Sequence, residues 1–280
     1  MRVGFVGLGS QGAAMAQRIE RAGFELLLWA RRAETLRPFR DSGARPFASL
    51  EELAARSDVV GVCVGNDDDV ESVVLAERGG LLAGMRPGSV VMVHSTIHPE
   101  TCRLLGAQAQ ARRVQLLDAP VSGGSDRALQ GELTVMVGGE HSVYERCLPV
   151  FESYGSTVKY LGGLGTGQMC KILNNVLFSA TLELAHQTVL RARALELDEQ
   201  AMREVLMASS AQSTALSVVS LLDAPGSERA LGNLVKDHAL FSALARSREI
   251  EPGQLERVAG KATKRIAEAL EQESRSGPGS

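Results

Sequence analysis

The sequence predicts an α/β protein: an N-terminal doubly wound sheet with helices on both faces, followed by an all-helical C-terminal domain. Three observations carry this. Up to about residue 160, short apolar runs of strand length alternate with segments of helical period. A glycine cluster, GLGSQG, lies between the first of those runs and the first helix. Beyond Gly163 the strand pattern stops and every remaining segment reads as helix.

Taken in order, RVGFV leads into the glycine turn, and AAMAQRIERAG repeats its apolar positions at helical spacing until Gly23 ends the run. FELLLWA is short and wholly apolar, as a parallel strand buried on both faces should be. AETLRPFRDSG reads as a short helix interrupted by Pro38. Further strands are predicted at 58–64, 89–94 and 114–119, separated by helices at 49–56, 67–76 and 99–111. LTVMVGG, a helix around 141–152 and STVKYLG are expected to add strands to the edge of the same sheet. Residues 165–196 then read as one helix of over thirty residues, followed by helices at 199–208, 213–222, 228–245 and 252–273. The expected division is 1–162, 163–273 and a flexible tail at 274–280. A helix that long needs contacts along its whole length, at the domain junction or against a second subunit.

Composition narrows the function classes. The 280 residues are 44% hydrophobic and 22% charged, enough for real cores. A formal charge of −3, from interspersed Arg and Glu, leaves no basic stripe for nucleic acid. Cys63, Cys102, Cys147 and Cys170 form no CxxC pair and have no histidine at ligand spacing, so neither a metal nor a disulfide is expected and the cytoplasm is the default compartment. The N-terminus MRVGFVGLG has no charged segment followed by a long apolar one, and no apolar run reaches the roughly 18 residues that cross a membrane. The chain is expected to be soluble and unprocessed, with no membrane partner.

In GLGSQG, that is Gly7, Leu8, Gly9, Ser10, Gln11 and Gly12, the spacing and the strand-to-helix context match a dinucleotide-binding fingerprint. The first glycine permits the tight turn, the second lets a pyrophosphate approach the backbone, and the third lets helix and strand pack. The N-terminal domain is thus expected to be Rossmann-type. Where the second strand ends, an acid would receive the ribose 2′-hydroxyl of NAD, but the segment is WARR. Ala30 followed by Arg31 and Arg32 suits a 2′-phosphate instead, so NADP is expected over NAD.

Two other segments carry candidate chemistry. DAPVSGG, residues 118–124, follows a strand, and Ser122 with Gly123 and Gly124 offers either carboxylate-binding donors or an ordinary turn. GQMCKILNN opens the long helix and sets Gln168, Lys171 and Asn175 on one face, with Ile172 and Val176 free to face a core. A lone lysine is usually a snorkelling one. Beside amides, at a domain junction and on a cofactor-binding chain, Lys171 is better explained as a proton donor whose pKa is lowered by burial.

FVGLGSQGAAM, STIHPET, DAPVSGG, GTGQMCKILNN and NLVKDHAL together, in this order and spacing, resemble the β-hydroxyacid dehydrogenase family. That group includes 3-hydroxyisobutyrate dehydrogenases and tartronate semialdehyde reductases. The resemblance covers nearly the whole chain. It implies Lys171 as catalytic acid/base, Ser122, Gly123 and Gly124 as the substrate-carboxylate site, and Asn175 as an orienting group. It also implies Thr96 near the nicotinamide, Lys236 reaching the cofactor, and Asp237 in a structural role. The chain departs from the family pattern at Gln11 in place of Met, Ala30 in place of Asn or Asp, His98 in place of Ser as a helix-start residue, and Arg127 in place of Gly, and residues 210–232 match no substrate-specific pattern.

The implied reaction is hydride transfer between NADP(H) and a small β-hydroxyacid, or its semialdehyde or β-keto acid, with no metal. An imine reductase is similar in architecture but generally lacks lysine at this helix position. A catalytically silent NADP-binding module is the alternative from another class. The helical domain is too short for 6-phosphogluconate oxidation. A homodimer or homotetramer is expected, because a small helical domain with so long a helix would expose apolar surface if alone.

Overall fold

In the computed structural model, residues 1–76, 79–222 and 228–275 are described. The chain divides into two compact units, Met1–Lys171 and Ile172–Ser280. The last residues, 276–280, for which a flexible tail is expected, lie outside the described residues.

The first unit is built on a six-stranded parallel sheet in the order β3-β2-β1-β4-β5-β6. Its strands are β1 (Arg2–Val6), β2 (Glu25–Trp29), β3 (Arg45–Pro46), β4 (Val59–Val62), β5 (Val90–Val93) and β6 (Gln115–Asp118). The order reverses between β1 and β4, the topological switch point at which open α/β sheets bind ligands. The helices are α1 (Ser10–Arg21), α2 (Leu50–Arg56), α3 (Asp67–Leu75), α4 (Leu81–Gly84) and α5 (Pro99–Ala111). Side chains alternate across a strand, so each strand feeds two cores. Phe5, Leu26, Leu28, Met92 and Leu117 pack with Met15 and Ile19 of α1 on one face. Leu27, Val60, Val62, Val91 and Val93 pack with Leu53 of α2 and Leu105 of α5 on the other.

The later strands do not extend this sheet, contrary to the sequence-based expectation. β7 (Val121–Ser122), β8 (Leu133–Val137) and β9 (Gly155–Tyr160) form a three-stranded sheet of their own. One isolated bridge, Asp118 to Gly138, links it to the end of β6. β7 pairs antiparallel with β8, and that reversal turns the chain out of the parallel sheet. α6 (Gly124–Gln130) and α7 (His141–Glu152) flank it. The segment after β2 is also different: Ala33–Phe39 is a 3-10 helix, with Pro38 inside it where an α-helix would lose a backbone donor.

α8 (Thr166–Ala194) is 29 residues long, slightly shorter than the sequence suggests, and supplies the last residues of the first unit and the first of the second. The second unit continues with α9 (Glu199–Met207), α10 (Thr214–Val218), a 3-10 turn at Val219–Leu222, α11 (Glu228–Ser247) and α12 (Gln254–Arg275). The single helix expected at 213–222 is therefore two short pieces. Ile172, Val176 and Ala180 pack on Phe241, Ala245 and Ala259, and Leu182 and Val189 on Leu216, Leu231 and Ile266. No helix among the described residues is long and apolar enough to cross a membrane.

Candidate active site

The glycine turn has the shape its chemistry requires. Gly7 has φ +92°, and a Cβ there would lie 2.1 Å from the Cys63 carbonyl oxygen. A Cβ on Gly12 would lie 2.0 Å from the Gly7 oxygen, so α1 can pack this closely only with glycine. At Gly9 an added Cβ would meet nothing within 4 Å. Gly9 is also the N-cap of α1 and supplies no capping side chain, leaving first-turn N–H groups to an anion. Ser10 is exposed and Gln11 half-buried in that turn, and Leu8 is buried beneath it.

Beside this turn is a cavity of about 370 Å³ whose lining includes Gly7, Gly9, Trp29, Arg31, Thr35 and Asp69. Arg31 and Arg32 are among its lining residues, with side chains 83% and 74% exposed, and Ala30 adds no charge. A glycine cradle over a helix N-terminus, opening into a cavity with two guanidinium groups, fits a nicotinamide dinucleotide.

At the carboxyl edge of the sheet, Thr96 is half-buried in the loop between β5 and α5. The Gln168 side chain holds that loop on both sides of it: its Nε2 donates to the Ser95 carbonyl (2.8 Å), and its Oε1 accepts from the Ile97 N–H (3.1 Å). Gln168 is therefore an anchor between α8 and β5. The Ser95 hydroxyl accepts the Val64 N–H at 2.8 Å and extends the anchorage to the end of β4. His98 is the N-cap of α5, with Nδ1 accepting from the Glu100 N–H and Pro99 following at the first helical position.

Asp118, fully buried at the end of β6, receives the start of α8. Its Oδ1 accepts the Gly165 N–H (2.7 Å) and its Oδ2 the Gln168 N–H (2.8 Å). A carboxylate here satisfies orphan first-turn donors of a 29-residue helix and complements its dipole. Burial raises the Asp118 carboxyl above its ordinary value, and these backbone donors partly offset the rise. One turn beyond Gln168, Lys171 is only 8% exposed.

Four residues on from Asp118, Ser122 is half-buried in β7, paired with Thr134. Gly123 and Gly124 follow with φ +136° and +75°, both exposed, at the start of α6. Arg127 packs its stem under Gly123 and lies 4.0 Å from Glu132.

In the second unit, Asn175 is buried and donates through Nδ2 to Asp237 Oδ2. Asp237 is 1% exposed, and its Oδ1 lies 3.8 Å from Lys236 Nζ. The structure thus links Asn175, Asp237 and Lys236, which the sequence named without a connection. Sequence reasoning missed the anchoring roles of Asp118 and Gln168, and Asp69 altogether. Each acts on residues far away in the chain, and a single sequence carries no local signal for such pairs.

Comparison with known proteins adds a second line. Residues 2–163 match a family model described as the NAD binding domain of 6-phosphogluconate dehydrogenase. Residues 165–274 match one described as the NAD-binding domain of NADP-dependent 3-hydroxyisobutyrate dehydrogenase. The chain is 33% identical over 247 residues to a probable 3-hydroxyisobutyrate dehydrogenase-like protein of Arabidopsis thaliana, covering 87% of this chain and 82% of the relative. It is 33% identical over 222 residues to the 2-hydroxy-3-oxopropionate reductase of Escherichia coli, covering 78% and 74%. The solved 3-hydroxyisobutyrate dehydrogenase of Mycobacterium tuberculosis with L-serine superposes with a TM-score of 0.82 at 25% identity, covering 96% and 94%. An imine reductase of Myxococcus stipitatus superposes at 0.63 with 17% identity over 97% of this chain and 95% of its own, a likeness of fold alone.

Proposed function

The chain belongs to the β-hydroxyacid dehydrogenase family, and from that premise we propose that it is an NADP-dependent 3-hydroxyacid dehydrogenase or semialdehyde reductase. Its substrate is a small β-hydroxyacid, or the corresponding semialdehyde or β-keto acid. The observation that carries this reading is Lys171, a buried ammonium one turn from the Gln168 anchor and one turn before the buried Asn175.

When bound, a nicotinamide cofactor would supply or accept the hydride. The protein supplies position and proton. In reduction, charge develops on the carbonyl oxygen, and Lys171 donates a proton there; in oxidation it removes the proton from the hydroxyl. A positioned acid acts more strongly on the transition state than on the ground state, a contribution of roughly 10²- to 10⁴-fold. Ser122 with the Gly123 and Gly124 backbone binds the substrate carboxylate, and Asn175, fixed by Asp237, orients the substrate. Thr96 would line the nicotinamide end, Gly7 to Gly12 with Arg31 and Arg32 would hold the rest of the nucleotide, and the family resemblance assigns Lys236 to the cofactor as well.

Exposed Leu173, Leu177 and Leu184, at helical spacing along α8, support a homodimer or homotetramer, which sedimentation velocity tests. The four cysteines, none of them in a disulfide, support a reducing compartment, the cytoplasm. The defining experiment is oxidation of NADPH against a panel of carboxylated aldehydes, β-keto acids and cyclic imines, with NADH in parallel. Turnover of a carboxylated carbonyl is the expected result. Turnover of imines alone, or binding of cofactor without turnover on any acid, overturns the reading.

A further inference from the structure

The cavity beyond β2 receives charge from a second direction, the N-terminus of α3, which begins with three aspartates. They have different surroundings. Asp67 Oδ1 accepts the His98 N–H (2.9 Å) and the Thr101 hydroxyl (2.6 Å), tying α3 to the start of α5. Asp68 is exposed. Asp69 lines the cavity, and its Oδ1 lies 3.9 Å from an Arg31 terminal nitrogen. Gly65 leaves room for it, since a Cβ at that position would come within 2.8 Å of Asp69 Oδ2.

We propose that Asp69 is a specificity-determining residue for the nucleotide, a counter-charge to Arg31 that narrows the preference for NADP over NAD. The inference rests on the nucleotide reading given above. At 3.9 Å the two groups form an ion pair without a hydrogen bond, and Arg31 is largely solvated, so the guanidinium exchanges partners readily. A 2′-phosphate entering this cavity draws on Arg31 while meeting the Asp69 carboxylate as a like charge. A 2′-hydroxyl is a donor, and in a cavity whose β2 end has Ala30 in place of an acid, Asp69 is a carboxylate acceptor within the lining. The same carboxylate thus weakens one nucleotide and accommodates the other. Arg31 alone would give a steeper preference.

Trp29, the single tryptophan of the chain, lines the same cavity, so its fluorescence reports binding of NADPH and NADH without turnover. Asp69→Asn keeps the shape and removes the charge. It is expected to raise the ratio of NADPH to NADH affinity by about three- to tenfold at low salt, with the gain shrinking as salt screens the pair. Asp68→Asn makes the same change in net charge outside the cavity lining and should leave the ratio within about twofold. An unchanged ratio in Asp69→Asn, or an equal shift in Asp68→Asn, overturns the role of Asp69 and leaves the nucleotide reading standing. Failure of the unaltered protein to bind either nucleotide, by fluorescence and by calorimetry, overturns both.

Discussion

Arg31 and Lys171 are the residues at which one charge decides the most. Replacing Arg31 by Asp puts two carboxylates, the new one and Asp69, beside the cavity and removes the guanidinium. A lost charge-assisted bond plus a new like charge should weaken NADPH by roughly 100-fold in calorimetry, and NADH by only a few-fold. Equal losses would show that Arg31 does not read the 2′-phosphate. Lys171→Ala should lower kcat by about 10²- to 10⁴-fold while NADPH affinity stays within about twofold, because the missing group acts on the substrate oxygen. Full activity would remove Lys171 from the mechanism. Residues such as these were legible because local spacing identifies them: three glycines after a strand, arginines where an acid belongs, a lysine and amides at helical period. Gln168 was legible only as a polar group on the lysine's face. Its partners, Ser95 and Ile97, are 73 and 71 residues away, and no periodicity encodes that pairing.

Elements were legible where burial imposes a simple pattern. The inner strands β4 and β5 are apolar throughout because both faces are covered, and they stand out in the sequence for that reason. The second sheet was misplaced because an apolar run such as LTVMV looks the same whichever strand it joins; its partner β7 is two residues long and carries no alternation. β3 was missed because two exposed residues, one of them proline, make an edge strand without apolar content. α6 was hidden by its own start, where Gly123 and Gly124 suggest a turn and not a helix. For α8 the decisive feature is again non-local, the Asp118 carboxylate at its N-terminus. Asp118→Asn replaces one acceptor oxygen with a donor and sets it against the N–H of Gly165 or Gln168. An unsatisfied buried pair of this kind costs about 2 kcal/mol, or roughly 4–8 °C in Tm for a unit of this size. The first turn that carries Gln168 and Lys171 loosens with it, so kcat should fall more than KM rises. A Tm within about 1 °C of the unaltered protein would show that these bonds do not hold the helix start.

At the scale of the whole molecule, acid should undo the fold through His94. This imidazole is fully buried between Phe5, Phe151 and Tyr154. A carbonyl can only accept, so Nδ1 carries the proton donated to the Ala119 oxygen at 2.8 Å, and Nε2 faces the Tyr154 hydroxyl at 3.4 Å. Desolvation lowers the pKa of His94 to about 4, against the hydrogen bond to Ala119, which favours the charged form. The unfolded chain titrates near ~6.5, so below that pH it binds a proton that the native state refuses. Stability contributed by neutral His94 is therefore whole above about pH 6.5, is lost as pH falls toward 4, and changes no further below that, a loss of about 3 kcal/mol. Asp58, whose carboxyl is raised by burial but lowered on balance by hydrogen bonds from Arg2 and Arg86, contributes a further loss only below the ordinary carboxylate value. Asp118 works in the opposite sense: its raised carboxyl binds protons more tightly in the native state and adds stability as pH falls. The His94 share is isolated by comparing urea unfolding at pH 7 and pH 4.5 with that of His94→Asn, whose side-chain amide nitrogen stands at the Nδ1 position, can still donate to Ala119 and does not titrate. The unaltered protein should lose more stability over this interval than the variant does, and equal losses would assign the acid sensitivity elsewhere. Because Ala119 follows Asp118 and His94 precedes Ser95, the same protonation reaches the loop that carries Thr96 and the segment leading into β7, which carries Ser122, and acid inactivation should follow the loss of stability.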